Sequence, residues 1–500
     1  MEKRIRRLGV FMVLCFVALF LQLNNIQVLK ANSLANSPNN PRVIQAERVQ
    51  PRGEILASDG TVLAQSVASA PGDFYKFQRV YPAPTAVLYS NIVGYDSLIY
   101  GKLGVEASYN QYLAAHNRPR TSLRDLLTNN TVTDNVTLTV RPKVQLAMQT
   151  ALEAIPRPPG SAPVSAVAID PTTGAILAMY STPAFDPNPL VSQDTKAETA
   201  ARTTYLAAPG NPLLSKAYED TSAPGSTYKV VTSSAVYDHQ PALANVDYPV
   251  TGCIGLPQSN LPLCNYNKGA EMCGGTIQVT LPASCNTAFA QMGMSLGAVS
   301  QNAEAQAFGF NQVPPLDLPG AVASQFPSVA ALTNNAPSQA YSAFGQQNVT
   351  ASALQMALVG AGVANGGVIE TPHVMAQIRD SQGNLVTSYT PKTWLKATTP
   401  ATTQQVTSLM QGVVTNGTAA GVFPADENVA AKTGTAEVGS QAQYTTDWMV
   451  AFAPADHPQV VVAVVAPFQP SSQTGAQTSG PPACAILQAA LNSAEACPGG

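Results

Sequence analysis

The sequence predicts an α+β protein: a large domain with a helical middle, preceded by a smaller β-rich module and an apolar N-terminal helix. Three observations carry this. Strand-like runs at 164–169 and 175–180, and again at 429–435, 447–453 and 460–465, bracket helical runs at 226–236, 352–363 and 403–414. Strands arriving from both ends of a stretch with helices between them make an α+β layering. Pro156, Pro158, Pro159 and Pro163 interrupt the pattern and mark a boundary. The chain also begins with a basic cluster followed by an apolar run. With 500 residues it exceeds one compact core, for which about 100–200 residues are usual, so two or three units are expected.

Taken in order, Lys3, Arg4, Arg6 and Arg7 precede an unbroken apolar run over 8–21. That order marks an export signal with its N-terminus inside. No small-x-small site closely follows Leu23, and Ala31-Asn32-Ser33 is distant, so an uncleaved anchor is expected: a cytoplasmic tail over 1–7 and a transmembrane segment over 8–28. Cys15 lies inside it as apolar filler. The module over 29–160 contains Asp59-Gly60 between apolar flanks, a hairpin signal for a type I′ turn. A helix over 106–115, a strand over 135–140 and an amphipathic helix over 144–155 follow. The large domain, 161–497, opens with a hairpin turning through 170–174. Its helices end at Asn365-Gly366-Gly367 and Asn416-Gly417, and a last helix covers 482–491.

Composition excludes several functions. A net charge of −3 with 11% charged residues leaves no basic patch to track phosphates, so no nucleic-acid partner is expected. The 4 histidines, at 116, 239, 373 and 457, form no metal-binding spacing, and no metal is expected. Six cysteines lie beyond the anchor, an even number that suits an oxidising compartment and allows about 15 connectivities. Short-range pairing gives Cys253–Cys264, Cys273–Cys285 and Cys484–Cys497.

The chemistry concentrates at 223–236, where Pro224-Gly225 leads into Ser226-Thr227-Tyr228-Lys229 and then small or apolar residues. A helix starting at Ser226 would place Ser226 and Lys229 within about 60° on one face, one turn apart. A serine hydroxyl is a poor nucleophile and needs a neighbour that takes its proton. Burial and the positive end of the helix dipole would both favour a neutral lysine. Two more motifs follow: Ser284-Cys285-Asn286, opening a helical run over 287–296, and Lys432-Thr433-Gly434-Thr435 in the first late strand, where Gly434 would let a ligand approach the backbone.

S-x-x-K, S-x-N and K-T-G in this order, separated by 58 and 146 residues, resemble the set shared by penicillin-binding proteins and serine β-lactamases. Nearly the whole chain resembles the class B penicillin-binding proteins, in particular the actinobacterial penicillin-binding protein A group. The resemblance extends to Arg52-Gly53-x-Ile55, Gly104-Val105-Glu106, Asp170-x-x-Thr173-Gly174, Asp186-Pro187-Asn188, Gly345-Gln346 and Ala364 to Gly367. Ala57-Ser58 and Ala351-Ser352 depart from the usual pattern, away from the chemistry.

The resemblance implies a single-pass membrane D,D-transpeptidase of peptidoglycan, with a pedestal of dimerisation type and an extracytoplasmic transpeptidase domain like that of serine β-lactamases. By motif, Ser226 attacks the bond between the terminal D-alanines of a stem peptide and Lys229 takes its proton. Ser284 and Asn286 relay protons and hold the substrate amide. Lys432 supplies positive potential, while Thr433, Gly434 and Thr435 bind substrate, and the N–H groups of Ser226 and Thr435 form the oxyanion hole. No cofactor is implied. β-Lactams are implied as covalent inhibitors and a membrane glycosyltransferase as partner. The alternatives are a non-catalytic muropeptide or β-lactam sensor, and a D,D-carboxypeptidase or β-lactamase. Against the last, none of Glu304, Asp317, Glu370, Asp380, Asp426 and Glu427 begins the E-x-x-x-N pattern of a hydrolytic base.

Overall fold

The computed structural model describes residues 2–30, 49–73, 75–117, 131–156, 163–438 and 443–498. Helix α1, Glu2–Asn24, runs on to Gln27 as an exposed apolar span of 26 residues. At about 1.5 Å per residue this exceeds the roughly 30 Å of a bilayer core. It is longer than the apolar run over 8–21 because the basic cluster joins the helix. The Ala31-Asn32-Ser33 segment, and most of the proline boundary, lie outside the described residues.

The first module is built on β1 (Ile55–Leu56), β2 (Val62–Ala68) and β3 (Phe77–Val80). β1 and β2 form the expected hairpin, but its turn is not type I′. Among the turn residues only Gly60 has a positive φ, +89°, whereas type I′ needs two such residues, and the strand register shifts between Ile55 and Leu56. The expected helix over 106–115 is two short helices, α2 (Gly104–Ser108) and α3 (Asn110–Leu113). The cause is tertiary: Arg52 Nη2 donates to the Glu106 carbonyl (2.8 Å), the group that the Asn110 N–H would occupy in a continuous helix. The Glu106 carboxylate is fully buried and accepts from Arg52 Nε and Arg79 Nε, both at 2.6 Å, and from the Tyr81 hydroxyl at 3.2 Å. Strand β4 (Asp134–Leu138) pairs parallel to β1, and α4 (Pro142–Glu153) follows.

The large domain contains β5 (Ser165–Ile169), β6 (Ile176–Ser181), α5 (Lys229–His239), α6 (Asn286–Ala307), α7 (Ala353–Ala364), β7 (Met375–Asp380), β8 (Leu385–Ser388), α8 (Pro400–Thr415), β9 (Ala430–Val438), β10 (Tyr444–Ala453), β11 (Val460–Pro470) and α9 (Gly480–Leu491). Its sheet is antiparallel throughout, in the order β9-β10-β11-β5-β6, so strands from both ends of the domain meet at the β11–β5 pair. Successive side chains on a strand face opposite ways. Val461, Ala463 and Val465 therefore join the core around α7, while Val460, Val462 and Val464 join that of α4 and α9. In α7 every residue from Ala353 to Val363 is buried, and a Cβ at Gly360 would lie 2.6 Å from Val461 Cγ1. That helix fits its sheet only with glycine there.

The boundary expected near 160 is crossed in space. β7 and β8, from deep in the large domain, extend the first module's sheet to β8-β7-β4-β1-β2-β3. The two units thus share a sheet.

Candidate active site

Three elements converge at the edge strand β9. Ser226 lies one step earlier in the architecture than its sequence suggests: residues Gly225–Tyr228 form a 3₁₀ turn, and the α-helix begins at Lys229. This turn is fixed by close backbone approaches. Gly225 has φ +52° and its N–H donates to the Gly345 carbonyl (3.0 Å); a Cβ at Gly345 would lie 2.3 Å from the Gly225 carbonyl oxygen. Trp448 Nε1 on β10 donates to the Ala223 carbonyl (2.8 Å). Gly434 serves the same junction. A Cβ there would meet Pro224 O at 2.9 Å and Thr227 Cγ2 at 3.0 Å, so the close approach that the sequence suggested for a ligand is made by the turn that carries Ser226.

Lys229 is completely buried, and its Nζ donates to the Ser284 carbonyl (2.6 Å) and to Asn286 Oδ1 (2.8 Å), with Phe289 and Phe344 rings at 5.3 and 5.8 Å. Burial holds its pKa well below that of an ordinary lysine, and the nearby Lys432 pushes the same way. The fully buried Lys432 is itself brought down by burial to about 7; its Nζ donates to Ser284 Oγ and to the Thr433 carbonyl, each at 2.9 Å. A neutral lysine amine has two N–H groups and one lone pair. Ser284 and Asn286 occupy the two donors of Lys229, which leaves the lone pair to accept a proton. Among the described residues the Ser226 hydroxyl makes no hydrogen bond, so the structure brings Lys229 to the S-x-N motif rather than onto Ser226.

Ser284 sits at φ +57°, a left-handed backbone that costs a non-glycine residue about 1–2 kcal/mol. Asn286 then opens α6, which runs well past the expected 287–296 and kinks at Gly297 (φ +73°). Ser226, Ser284, Asn286, Thr433 and Thr435 line one cavity of about 420 Å³, with Lys229 and Lys432 buried behind it and Gly434 outside the lining. In the first turn the Ser226 N–H has no preceding carbonyl to bond.

Sequence reasoning missed several wall residues. Thr418 Oγ1 lies 2.6 Å from Thr433 Oγ1, and the Gly475 N–H donates to Thr435 Oγ1 (3.0 Å). Tyr341, Phe344 and Tyr266 add aromatic surface. None of these stands within a motif, so only tertiary placement reveals them. Opposite β9 the wall is a loop tied by disulfides Cys253–Cys264 and Cys273–Cys285; Cys484–Cys497 joins α9 to the segment that follows it.

A hydroxyl at a helix start, a buried lysine with a lowered pKa behind the cavity, and an edge strand bearing threonines are the arrangement of a serine acyl-transfer enzyme of the penicillin-recognising class. Comparison with known proteins narrows this. Residues 164–488 match the penicillin binding protein transpeptidase domain, and residues 52–136 match the penicillin binding protein A dimerisation domain. The chain belongs to the class B penicillin-binding proteins. It is 34% identical to the peptidoglycan D,D-transpeptidase PbpA of Mycolicibacterium smegmatis over 98% of this chain and 99% of that one. The Mycobacterium tuberculosis protein of the same name is 32% identical over the same shares. The fold overlays the ceftriaxone acyl-enzyme complex of penicillin-binding protein A from M. tuberculosis with a TM-score of 0.80 and 29% identity, covering 89% of this chain and 99% of that one. The penicillin G acyl-enzyme complex of that protein overlays with a TM-score of 0.77 and 28% identity, covering 88% of this chain and 100% of that one.

Proposed function

We propose that this chain is a peptidoglycan D,D-transpeptidase acting through an acyl-Ser226 intermediate and acylated there by β-lactams. Ser226 Oγ attacks the carbonyl between the two terminal D-alanines as its proton passes to Lys229, and the Ser226 and Thr435 N–H groups receive the oxyanion. The tetrahedral centre collapses, D-alanine departs with a proton returned through Lys229 and Ser284, and a stem-peptide amine attacks the ester to form the cross-link while Ser226 recovers its proton. Asn286 holds the substrate amide; Thr433 and Thr435 hold the terminal carboxylate, and Lys432 behind them supplies positive potential, its protonation favoured by the carboxylate's charge. The observation that carries this reading is the convergence of all three motifs on one cavity with Lys229 buried behind the nucleophile.

The basic residues ahead of the apolar stretch of α1 support a cytoplasmic N-terminus, with everything beyond the anchor outside. The domain division at 160/161 and a membrane glycosyltransferase partner belong to the same reading. The missing E-x-x-x-N carboxylate decides against a β-lactamase. After a brief exposure to penicillin G, the penicilloyl adduct is expected to persist for at least tens of minutes by intact mass. Recovery of unmodified enzyme within seconds would make the chain a hydrolase.

A further inference from the structure

The middle residue of the S-x-N motif is a half-cystine. Cys285 is fully buried and bonded to Cys273, so a covalent link runs from the space between Ser284 and Asn286 to the loop that walls the cavity. That loop is also held non-covalently to the same spot. Asn265 Oδ1 accepts the Thr287 N–H (2.9 Å), Asn265 Nδ2 donates to the Thr251 and Glu271 carbonyls, and Asn286 Nδ2 reaches the Cys264 carbonyl (3.4 Å). The motif needs such restraint. Ser284 is in left-handed backbone conformation, its carbonyl and Asn286 Oδ1 take both donors of Lys229, and its hydroxyl takes Lys432. A strained residue persists only where its surroundings over-determine it.

We propose that the Cys273–Cys285 bond is a positioning element of the acylation step, fixing Ser284 and Asn286 so that Lys229 is oriented to take the proton of Ser226. The proposal rests on Ser226 being the acylated residue. Failure of the wild-type enzyme to label would sink that reading; normal wild-type labelling with an indifferent variant would sink only this one.

Cys273→Ala cuts the bond while leaving Cys285 within the motif. The rate of acylation by a fluorescent penicillin is expected to fall at least tenfold, with the loss in the chemical step and the initial encounter constant retained. The rising limb of the pH profile is expected to move to higher pH as water reaches Lys229, whose remaining neighbours are Lys432 and the Phe289 and Phe344 rings. Cys484→Ala/Cys497→Ala, which removes a link at α9, is the reference and should leave both readouts within twofold. If Cys273→Ala does not fold, this reference variant can be treated with dithiothreitol after folding. The S–S bond then opens to two thiols as dithiothreitol closes to its cyclic disulfide, and alkylation mapping identifies the bond opened. Acylation within twofold once Cys273 and Cys285 are free thiols, or a loss confined to the encounter constant, would overturn the proposal.

Discussion

Ser226→Ala is expected to lose acylation by penicillin by at least ~10⁴-fold, since a nucleophile has no substitute among its neighbours. That corresponds to about 5.5 kcal/mol of barrier. Ser284 offers another hydroxyl in the cavity, but it already accepts from Lys432 and belongs to a residue whose backbone is constrained. Stability should barely move, within about 0.5 kcal/mol. The turn is fixed by Gly225, Gly345 and Trp448, and the Ser226 hydroxyl makes no hydrogen bond among the described residues. Labelling that survives in a folded Ser226→Ala protein would remove Ser226 from the mechanism.

Lys229→Arg should be nearly as damaging as removal of the amine, with acylation down by at least ~10³-fold. Guanidinium keeps the charge but cannot deprotonate, so it supplies no lone pair. It also places a permanent cation in an interior already shared with Lys432, which should cost a few kcal/mol of stability. Lys229→Met separates the two effects: it is expected to be as inactive as the arginine variant yet at least as stable as the parent. The sign of the pH dependence follows from the lowered pKa. Between the native value and the ordinary value of about 10.5 the unfolded chain binds more protons at this site, so its destabilising contribution shrinks as pH rises through that window. Lys229→Met should flatten that slope. An arginine variant acylated at the parental rate would make Lys229 an electrostatic group and place the base elsewhere.

What was legible in the sequence was local. Ser226 and Lys229 are three residues apart, and Ser284-Cys285-Asn286 and Lys432 to Thr435 are contiguous, so chain geometry alone held their parts in register. The sheet strands were legible too, because β11 is apolar on both faces. Where the reading failed, a distant residue had intervened. Arg52 broke the helix after Glu106 by taking its carbonyl, and Pro224, 210 residues before Gly434, explains that glycine's small size better than a ligand does. The approach of Gly345 to Gly225 makes Ser226 part of a 3₁₀ turn. Thr418, in a loop, and Gly475, at the start of a short helix, touch the cavity-lining threonines from outside any of the three motifs. The lysine's second neighbour, Lys432, lies 203 residues from it, beyond any local pattern.

The fate of the acyl-enzyme distinguishes cross-linking from hydrolysis, because a covalent acyl transferase gives its intermediate to whichever nucleophile arrives. The most direct measurement is D-alanine release from a donor stem pentapeptide, with and without an amine acceptor stem peptide, followed by mass analysis of the product. The account predicts slow release alone, faster release with acceptor, and a product joining donor and acceptor through a new amide. Release indifferent to the acceptor, with only the tetrapeptide acid formed, would contradict it.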